Sequence, residues 1–443
     1  MMATVLLVTL YQQPAAPADT THGRPCKVLV DSVGRQAQRV EVRAGETNVF
    51  AGGGVLAHCE GTSTTLSADS VAWFAGVKRF DMIGQRNIVH IRDTTLTLDA
   101  TTATYYLAQE RLEAHRNVVA VNRTTGTVLR GPNLTYYRAA PGIRDTIEMY
   151  STGRPTIDYH ATADSGEPYV IVADRVRFKG NDKMWGGGRV TIDRSDFAAQ
   201  GDSMQLDQPA GFGVLVGKPA VEGKGARAYK LTGTRIELGL SGREVRLVKA
   251  LGNGVATGAD WRLTADTIHL HLDRKKLQRA FAWGPKDSVH ARAVSTTNTI
   301  RSDSLALDLP DEVLTEARAF GHAFSTSKKD STKNTDVDWI AGDSLTAHWA
   351  QVPDSTGTPR SRIHEIISRN NARALTHMQS EHDTAGPSIN YSRGTVIRVV
   401  LKADKVDTVT VTGHADGVQL DHRPPARPDT TKHQTPPPSV PNR

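Results

Sequence analysis

Several features that support familiar functions are scarce or missing in this chain of 443 residues. Cysteine occurs only as Cys26 and Cys59, so neither a cysteine-rich framework nor a Cys/His metal pattern is present. Aromatic residues make up 6% of the chain, which is little for one thick core and suits a thin structure with much surface. Beyond the short apolar run Val5–Leu10, no segment is apolar over the length that a membrane helix needs. The shortages exclude a disulfide scaffold, a zinc module and a helical membrane protein.

Sequence motifs of the common enzyme classes are missing as well. The chain has no GxSxG, HExxH, Walker or dinucleotide-binding pattern. Gly52–Gly54 and Gly186–Gly188 precede strand-like segments, so they predict hairpin turns or bulges and not phosphate-binding loops. His269 and His271 alternate on one strand at its polar positions, which favours an outer face over a metal site. The sequence therefore predicts no catalytic residue, no metal site and no cofactor.

The charge of the chain indicates little about its binding partners. The formal net charge is +7, which permits contact with anionic partners such as lipid phosphates. The basic residues are scattered, and no pattern points to nucleic acid. The densest group, Lys218, Lys224, Arg227 and Lys230, is either a phosphate site or a solvated loop, and we favour the loop.

The strongest signal is a spaced signature that recurs along the chain. A small polar anchor is followed at +2 and +4 by apolar residues and at +18 by Gly or Asn, with the anchors at Asp69, Thr234, Asp266, Asp303 and Thr395. Asp343 begins a copy that a polar insert, Val352–Arg360, lengthens by nine residues. Weaker copies begin at Asp99, Pro132, Asp174 and Asp202. The anchors are too widely spaced for a calcium roll, so we interpret the Asp residues as caps of turns that precede strands.

Each unit alternates with a period of two, as in Asp266–Leu272, where every second side chain is apolar. A second alternating segment with small residues follows a turn, so each unit predicts a β-hairpin with one apolar face. About nine hairpins predict roughly eighteen strands, and a sheet of that size should fold over into a sandwich or an open roll. The predicted fold class is all-β, one elongated antiparallel body built from repeated hairpins.

The apolar side chains that follow the anchors define an inner face. In a closed sandwich they would fill the core, and in an open roll they would line a groove long enough for acyl chains. Both alternatives remain open from the sequence. The groove candidates are Val71, Trp73, Val176, Phe178, Met204, Leu206, Ile236, Leu238, Ile268, Leu270, Leu305, Leu307, Leu345, Ile397 and Val399.

The ends of the chain differ from the body. Residues 1–26 are expected to be an export signal or a disordered leader, since Val5–Leu10 is followed by the small-residue stretch Ala16–Ala18. Residues 27–421 form the expected folded part, and the Pro-rich residues 422–443 the expected disordered tail. Cys26 and Cys59 either pair as a disulfide or remain two separate thiols.

The repeated unit resembles the lipopolysaccharide-transport OstA/LptA-like family over residues 27–420. The resemblance is carried by stretches such as Val172–Phe178, Leu263–Leu270, Leu129–Tyr137 and Thr395–Leu420. It implies a periplasmic β-jellyroll, of one extended or two fused units, that shields the lipid A acyl chains of lipopolysaccharide on their way to the outer membrane. It also implies edge-strand pairing with other jellyrolls of the transport bridge and an association with the outer membrane.

Two other classes of function compete with a lipid carrier. A structural or adhesin-like β-protein would have a filled interior, no lipid ligand and its function in the loops. A β-helical enzyme acting on polysaccharide would need carboxylates clustered on neighbouring coils, whereas the repeated Asp residues lie at predicted strand starts.

Overall fold

The fold is described from a computed structural model of the chain. The structure describes residues 26–140, 142–160, 166–225, 227–241, 244–259, 261–284, 290–295, 298–327, 337–353, 359–378, 388–402 and 405–421. The expected leader up to residue 25 and the expected tail from 422 lie outside these ranges. The described residues form β-strands and two short 3-10 turns, Leu107–Gln109 and Pro310–Glu312, so the predicted all-β antiparallel roll is confirmed.

The chain divides into two compact units. The N-terminal unit comprises Met1–Ala259 and Thr264–Gln278, and the C-terminal unit comprises Asp260–Leu263 and Arg279–Arg443. Strands β22 and β23 are each divided between the units. The strands are β1 Val28–Val33, β2 Gln36–Arg43, β3 Glu46–Cys59, β4 Thr65–Phe74, β5 Arg79–Ile83, β6 Val89–Arg92, β7 Leu96–Ala100, β8 Thr102–Tyr106, β9 Arg111–Asn122, β10 Val128–Tyr137, β11 Glu148–Thr152, β12 Thr156–Tyr159, β13 Tyr169–Val172, β14 Arg175–Lys179, β15 Lys183–Asp193, β16 Phe197–Asp207, β17 Phe212–Val216, β18 Ala220–Gly223, β19 Tyr229–Thr232, β20 Arg235–Ser241, β21 Glu244–Thr257, β22 Trp261–Asp273, β23 Lys276–Trp283, β24 Ala291–Ser295, β25 Asn298–Ser302, β26 Ser304–Asp308, β27 Glu316–Ser327, β28 Trp339–Pro353, β29 Pro359–Met378, β30 Ser388–Lys402, β31 Lys405–Thr412 and β32 Asp416–Leu420.

The N-terminal unit consists of two antiparallel layers, and its long strands contribute to both. Long strands such as β15 pair with β14 in one layer and with β13 in the other. Layer A contains β2, β5, β8, β11, β14, β17 and β20, and layer B contains β1, β6, β7, β12, β13, β18 and β19. The long strands β3, β4, β9, β10, β15, β16, β21 and β22 contribute one half to each layer. Because each hairpin continues into a second layer, the described residues form more strands than the roughly eighteen expected.

The predicted hairpins are confirmed in register. Ile236 pairs with Ala250 between β20 and β21, so a large side chain after the anchor lies beside a small one on the returning strand. Leu305 pairs with Ala319 in the same way in the C-terminal unit. Of the insert Val352–Arg360, residues 354–358 lie outside the described residues, and residues 353 and 359 pair at the far end of the β28–β29 hairpin. The insert therefore lengthens one hairpin and leaves the anchor in place.

The anchors lie at the corners where strands pass from one layer to the other. Asp303 donates its backbone N–H to the carbonyl oxygen of Gly321 at 2.9 Å, and this glycine is the +18 residue of its copy. Thr395 makes the same bond to Gly413 at 2.7 Å. The interpretation of the Asp residues as caps before strands was wrong for several of them, since Asp69, Asp202, Asp266 and Asp343 lie inside β4, β16, β22 and β28. Asp174 and Asp303 do directly precede β14 and β26. The signature thus encodes a corner, with the hairpin on one side of it.

Both conformation and space favour glycine at the +18 positions where it occurs, whereas other copies have Asn there. Gly413 has φ +71°, which side chains with a Cβ atom rarely adopt. A Cβ atom added there would lie 2.6 Å from the Thr395 hydroxyl oxygen. The bulges predicted at Gly52–Gly54 and Gly186–Gly188 are also corners, since the registers of β3 and β15 shift there.

At the first corner a carboxylate takes over part of the backbone pairing. One oxygen of Asp69 accepts hydrogen bonds from the backbone N–H groups of Gln85, Arg86 and Asn87 at 2.6, 2.5 and 2.9 Å. The three N–H donors stabilise the ionised form and lower the pKa of Asp69 to about 2. The charged carboxylate therefore belongs to the folded corner at all but strongly acidic pH.

We expect Asp69→Asn to lower the melting temperature at neutral pH. The difference from wild type should become smaller as the pH is lowered. A carboxyl whose pKa is lower in the folded state stabilises the protein above its unfolded pKa, and this contribution is lost as the pH falls from about 4 to about 2. Thermal unfolding of wild type and variant, followed by circular dichroism across this range, measures the difference. Asp407→Asn, at an exposed residue of β31, is the control. An equal difference between wild type and Asp69→Asn at both ends of the range would contradict the assignment.

The two cysteines form a disulfide, which resolves the two alternatives. Val28 at the start of β1 pairs with Cys59 at the end of β3, and this pairing brings Cys26 close to Cys59. Both cysteines are buried, at 3% exposure. The bond ties the first described strand to the body of layer B.

Candidate functional site

Most of the predicted groove residues face the interior of their unit. Thirteen of the fifteen are buried, whereas Trp73 and Leu206 are half-buried. Those in the N-terminal unit all belong to layer A. Their burial shows that the interior is largely filled in this structure, so the region between the layers is not an open groove.

The sequence analysis missed the layer that faces them. Layer B supplies equally buried side chains, including Ile157 and Leu231, both at 0% exposure. These residues lie on strands of only four residues, β12 and β19, which are too short for alternation to stand out from the surrounding turns. The signal that could have revealed layer B was the +18 glycine. It marks a corner, and the strand continues beyond that corner into a second layer.

Three cavities remain between the layers of the N-terminal unit. The disulfide cavity, of about 60 Å³, is lined by residues that include Cys26, Cys59, Phe80, Leu112, Tyr136 and Arg138. The middle cavity, of about 20 Å³, is lined by Leu96, Leu129, Met149, Tyr159, Phe178 and others. The Tyr169 cavity, of about 60 Å³, is lined by Tyr169, Ile192 and Phe197 of layer B and by Met204, Leu206 and Leu238 of layer A, among others. Four groove candidates, Phe178, Met204, Leu206 and Leu238, therefore border a cavity.

The cavities follow one another along the side of the unit opposite the corners, which we call the mouth. There the hairpin turns of layer A meet those of layer B. Leu96 lines both the disulfide cavity and the middle cavity, and Tyr159 lines both the middle cavity and the Tyr169 cavity. Single side chains thus separate neighbouring cavities.

Polar side chains join the two layers across the mouth. Asn122 of layer B donates to the side-chain oxygen of Asn181 in a layer A turn at 2.7 Å. The hydroxyl of Tyr159 in layer B donates to Oε1 of Gln208 in a layer A turn at 3.1 Å. These contacts hold the mouth closed above the middle cavity and the Tyr169 cavity.

The tyrosines at the mouth remain protonated at neutral pH. Burial, with a smaller contribution from the Asp182 carboxylate, raises the pKa of Tyr159 to about 12. Burial also raises the pKa of Tyr169, against the opposing charge of Arg194. Both hydroxyl groups are therefore hydrogen-bond donors and not nucleophiles.

The remaining candidates for chemistry do not form a site. His269 and His271 lie on the outer face of β22 with ring centroids 6.4 Å apart, and burial followed by the Lys249 charge lowers the pKa of His269 to about 4. No group of three or more His, Cys, Asp or Glu side chains in the described ranges is arranged to hold a metal ion. In the basic cluster, Lys224 pairs with Asp193, and Lys230 pairs with Glu222 at 2.7 Å. The cluster is thus partly neutralised.

Comparison with known proteins gives few matches. No helix among the described residues is long and apolar enough to cross a membrane. No family model matches the chain, and no curated protein matches it. Among solved structures, the chain is similar to LptH of Pseudomonas aeruginosa, the LptA-homologous periplasmic component of its lipopolysaccharide transport device. The two share 18% identity over 33% of this chain and 97% of that chain, with a TM-score of 0.24.

Proposed function

We propose that this protein is a non-enzymatic periplasmic carrier that shields acyl chains of a lipopolysaccharide-type glycolipid between its two β-layers. The observation that carries the proposal is the row of apolar cavities along the mouth of the N-terminal unit. An apolar chain between the layers would replace water with apolar contacts over its whole length, which is the main source of affinity for lipids. The OstA/LptA-like repeat in the sequence points to the same class of ligand.

The small size of the cavities sets a condition on the mechanism. A cavity of about 60 Å³ holds only a few water molecules, much less than the volume of a long acyl chain. An acyl chain therefore requires the layers to part at the mouth, while the corners keep them joined on the other side. The short polar contacts across the mouth, and not the main-chain pairing, are the bonds that such a movement breaks.

The terminal strands supply surfaces for partners of the same fold. Among the described residues, β1 and β2 pair only with β3, and β31 and β32 pair only with β30. Val42 and Leu420 on these strands are 56% and 60% exposed. Unpaired strand edges with exposed apolar side chains favour the addition of a further strand, so we propose edge-to-edge pairing with other jellyrolls of a transport bridge.

Native mass spectrometry of the protein purified from a lipopolysaccharide-containing envelope tests the carrier function. We expect additional masses that lipid extraction identifies as acylated glycolipid, and we expect Phe178→Asp to remove them, because the substitution places a charge in the middle cavity. Circular dichroism must show that the variant is folded, and Phe320→Asp, at a 49% exposed residue, is the control. An unmodified mass that persists after addition of lipopolysaccharide would contradict the proposal and favour a structural β-protein with a filled interior.

A further inference from the structure

The Tyr169 cavity contains one polar group that the protein leaves without a partner. Its walls are almost wholly apolar, from Ile192 and Phe197 on one side to Leu238 on the other. The Tyr169 hydroxyl is buried and makes no hydrogen bond within the described structure. A buried hydroxyl without a partner costs free energy, so it indicates that a partner is bound at another stage. The partner must bring a hydrogen-bond acceptor into an otherwise apolar space.

A side-chain hydrogen bond spans the mouth over this cavity, and the Lys275–Asp196 ion pair spans it at the rim. Tyr159 and Gln208 both line the cavity, and their side chains meet at 3.1 Å from opposite layers. A hydrogen bond of this kind contributes little net stability, because water replaces each partner when it opens. It can therefore act as a latch that opens without unfolding either layer.

The rim of the cavity carries charged groups of both signs. Arg194 lies over the ring of Tyr169 at 4.1 Å and binds Asp196, and Lys275 reaches Asp196 from a layer A turn at 3.5 Å. Lys224 pairs with Asp193 on the same rim and donates to the backbone oxygen of Arg194 at 3.1 Å. Glu167 and Glu244 also act on Arg194 and Tyr169 through their charges, so cations and carboxylates surround the opening in similar numbers. Such a rim suits a polar headgroup held outside it.

We propose that the Tyr169 cavity is a lateral port through which one acyl chain of an amphiphile enters between the layers, with the Tyr159–Gln208 hydrogen bond as its latch. The chain occupies the apolar cavity, and the Tyr169 hydroxyl donates to the carbonyl or carboxyl oxygen at the head of the chain. The charged rim holds the polar headgroup outside. The inference rests on the proposed carrier function and adds to it a point of entry in the middle of the unit.

Stopped-flow binding of cis-parinaric acid, a fluorescent fatty acid, to the full chain tests the port. Tyr159→Phe removes the latch and keeps the ring, so we expect association about two- to tenfold faster, the effect of one ordinary hydrogen bond. Tyr169→Phe removes the donor, so we expect an affinity about two- to tenfold weaker. Because the Tyr169 hydroxyl has no partner in the unliganded protein, this second variant should unfold at the same temperature as wild type or higher.

A matched substitution outside the cavity controls both variants. Tyr137→Phe changes the same group on the outer face of layer A and should alter neither rate nor affinity. If wild type binds the probe and both Tyr159→Phe and Tyr169→Phe bind it with the same rate and affinity, the port is overturned. The proposed carrier function would not be affected by that result. Absence of probe binding, together with an unmodified mass in the native mass spectrum, would overturn both.

Discussion

Leu270→Ala is expected to destabilise the N-terminal unit by about 2–5 kcal/mol, the range measured when a large apolar side chain is removed from a packed core. Leu270 is 0% exposed, and it lies on β22 between Ile268 and Leu272, which face the same interior. Because the interior already contains cavities, the neighbouring side chains have some freedom to move inward, and the cost depends on how far they do. Urea unfolding monitored by circular dichroism and tryptophan fluorescence measures the change.

The control for this prediction is the same substitution at an exposed leucine. Leu56 belongs to the same unit and is 54% exposed, so Leu56→Ala should change the free energy of unfolding by less than about 0.5 kcal/mol. Equal losses in the two variants would show that Leu270 does not pack in the core. A large loss confined to Leu270→Ala would support the assignment of layer A side chains to the interior.

Removal of the disulfide is expected to cost about 4 kcal/mol. Cys26 and Cys59 are 33 positions apart, and closing a loop of that length restricts the unfolded chain by about this amount in the chain-entropy description. The bond also fixes β1, which pairs only with β3 among the described residues and has no buried side chain. Chemical unfolding of the double variant Cys26→Ala/Cys59→Ala, compared with wild type, measures the loss.

Reductant provides an internal control for the disulfide. Wild type in reductant should approach the double variant, and the double variant itself should be indifferent to reductant. Hydrogen exchange should show the loss first in β1, because the rest of layer B keeps its pairing. Unfolding curves that coincide for oxidised wild type, reduced wild type and the double variant would argue against the stabilising role.

Much of the fold could be predicted from the sequence because the corner has strict requirements. A polar anchor such as Asp303 and a glycine such as Gly321 are bonded to each other through their backbones, and they recur 18 positions apart in the copies without an insert. The alternation after each anchor predicted the layer A hairpins and the residues that they bury. Layer B was missed because strands such as β6 and β13 have four residues each, too few for a periodic pattern.

The candidate site was predicted only in part, for a different reason. The inner face of layer A follows from alternation, but a cavity is a property of two facing layers. Tyr159 ends β12 and Tyr169 begins β13 in layer B, where polar and aromatic residues have no distinctive pattern. The separation of the two layers at the mouth, and the contacts that bridge it, depend on pairing between residues such as Asn122 and Asn181, which are 59 positions apart.

The difference between corner and mouth has a consequence for which changes of chain length the fold tolerates. Successive anchors are 28 to 52 residues apart, yet the corner glycine stays 18 residues from its anchor in the clearest copies. Extra residues can be taken up at the hairpin ends, since the β28–β29 hairpin keeps its pairing out to residues 353 and 359 on either side of the extra segment. One extra residue at a corner would instead reverse the inward and outward side chains of the strand beyond it. Insertions and deletions should therefore be tolerated along one rim of each unit and rejected along the other.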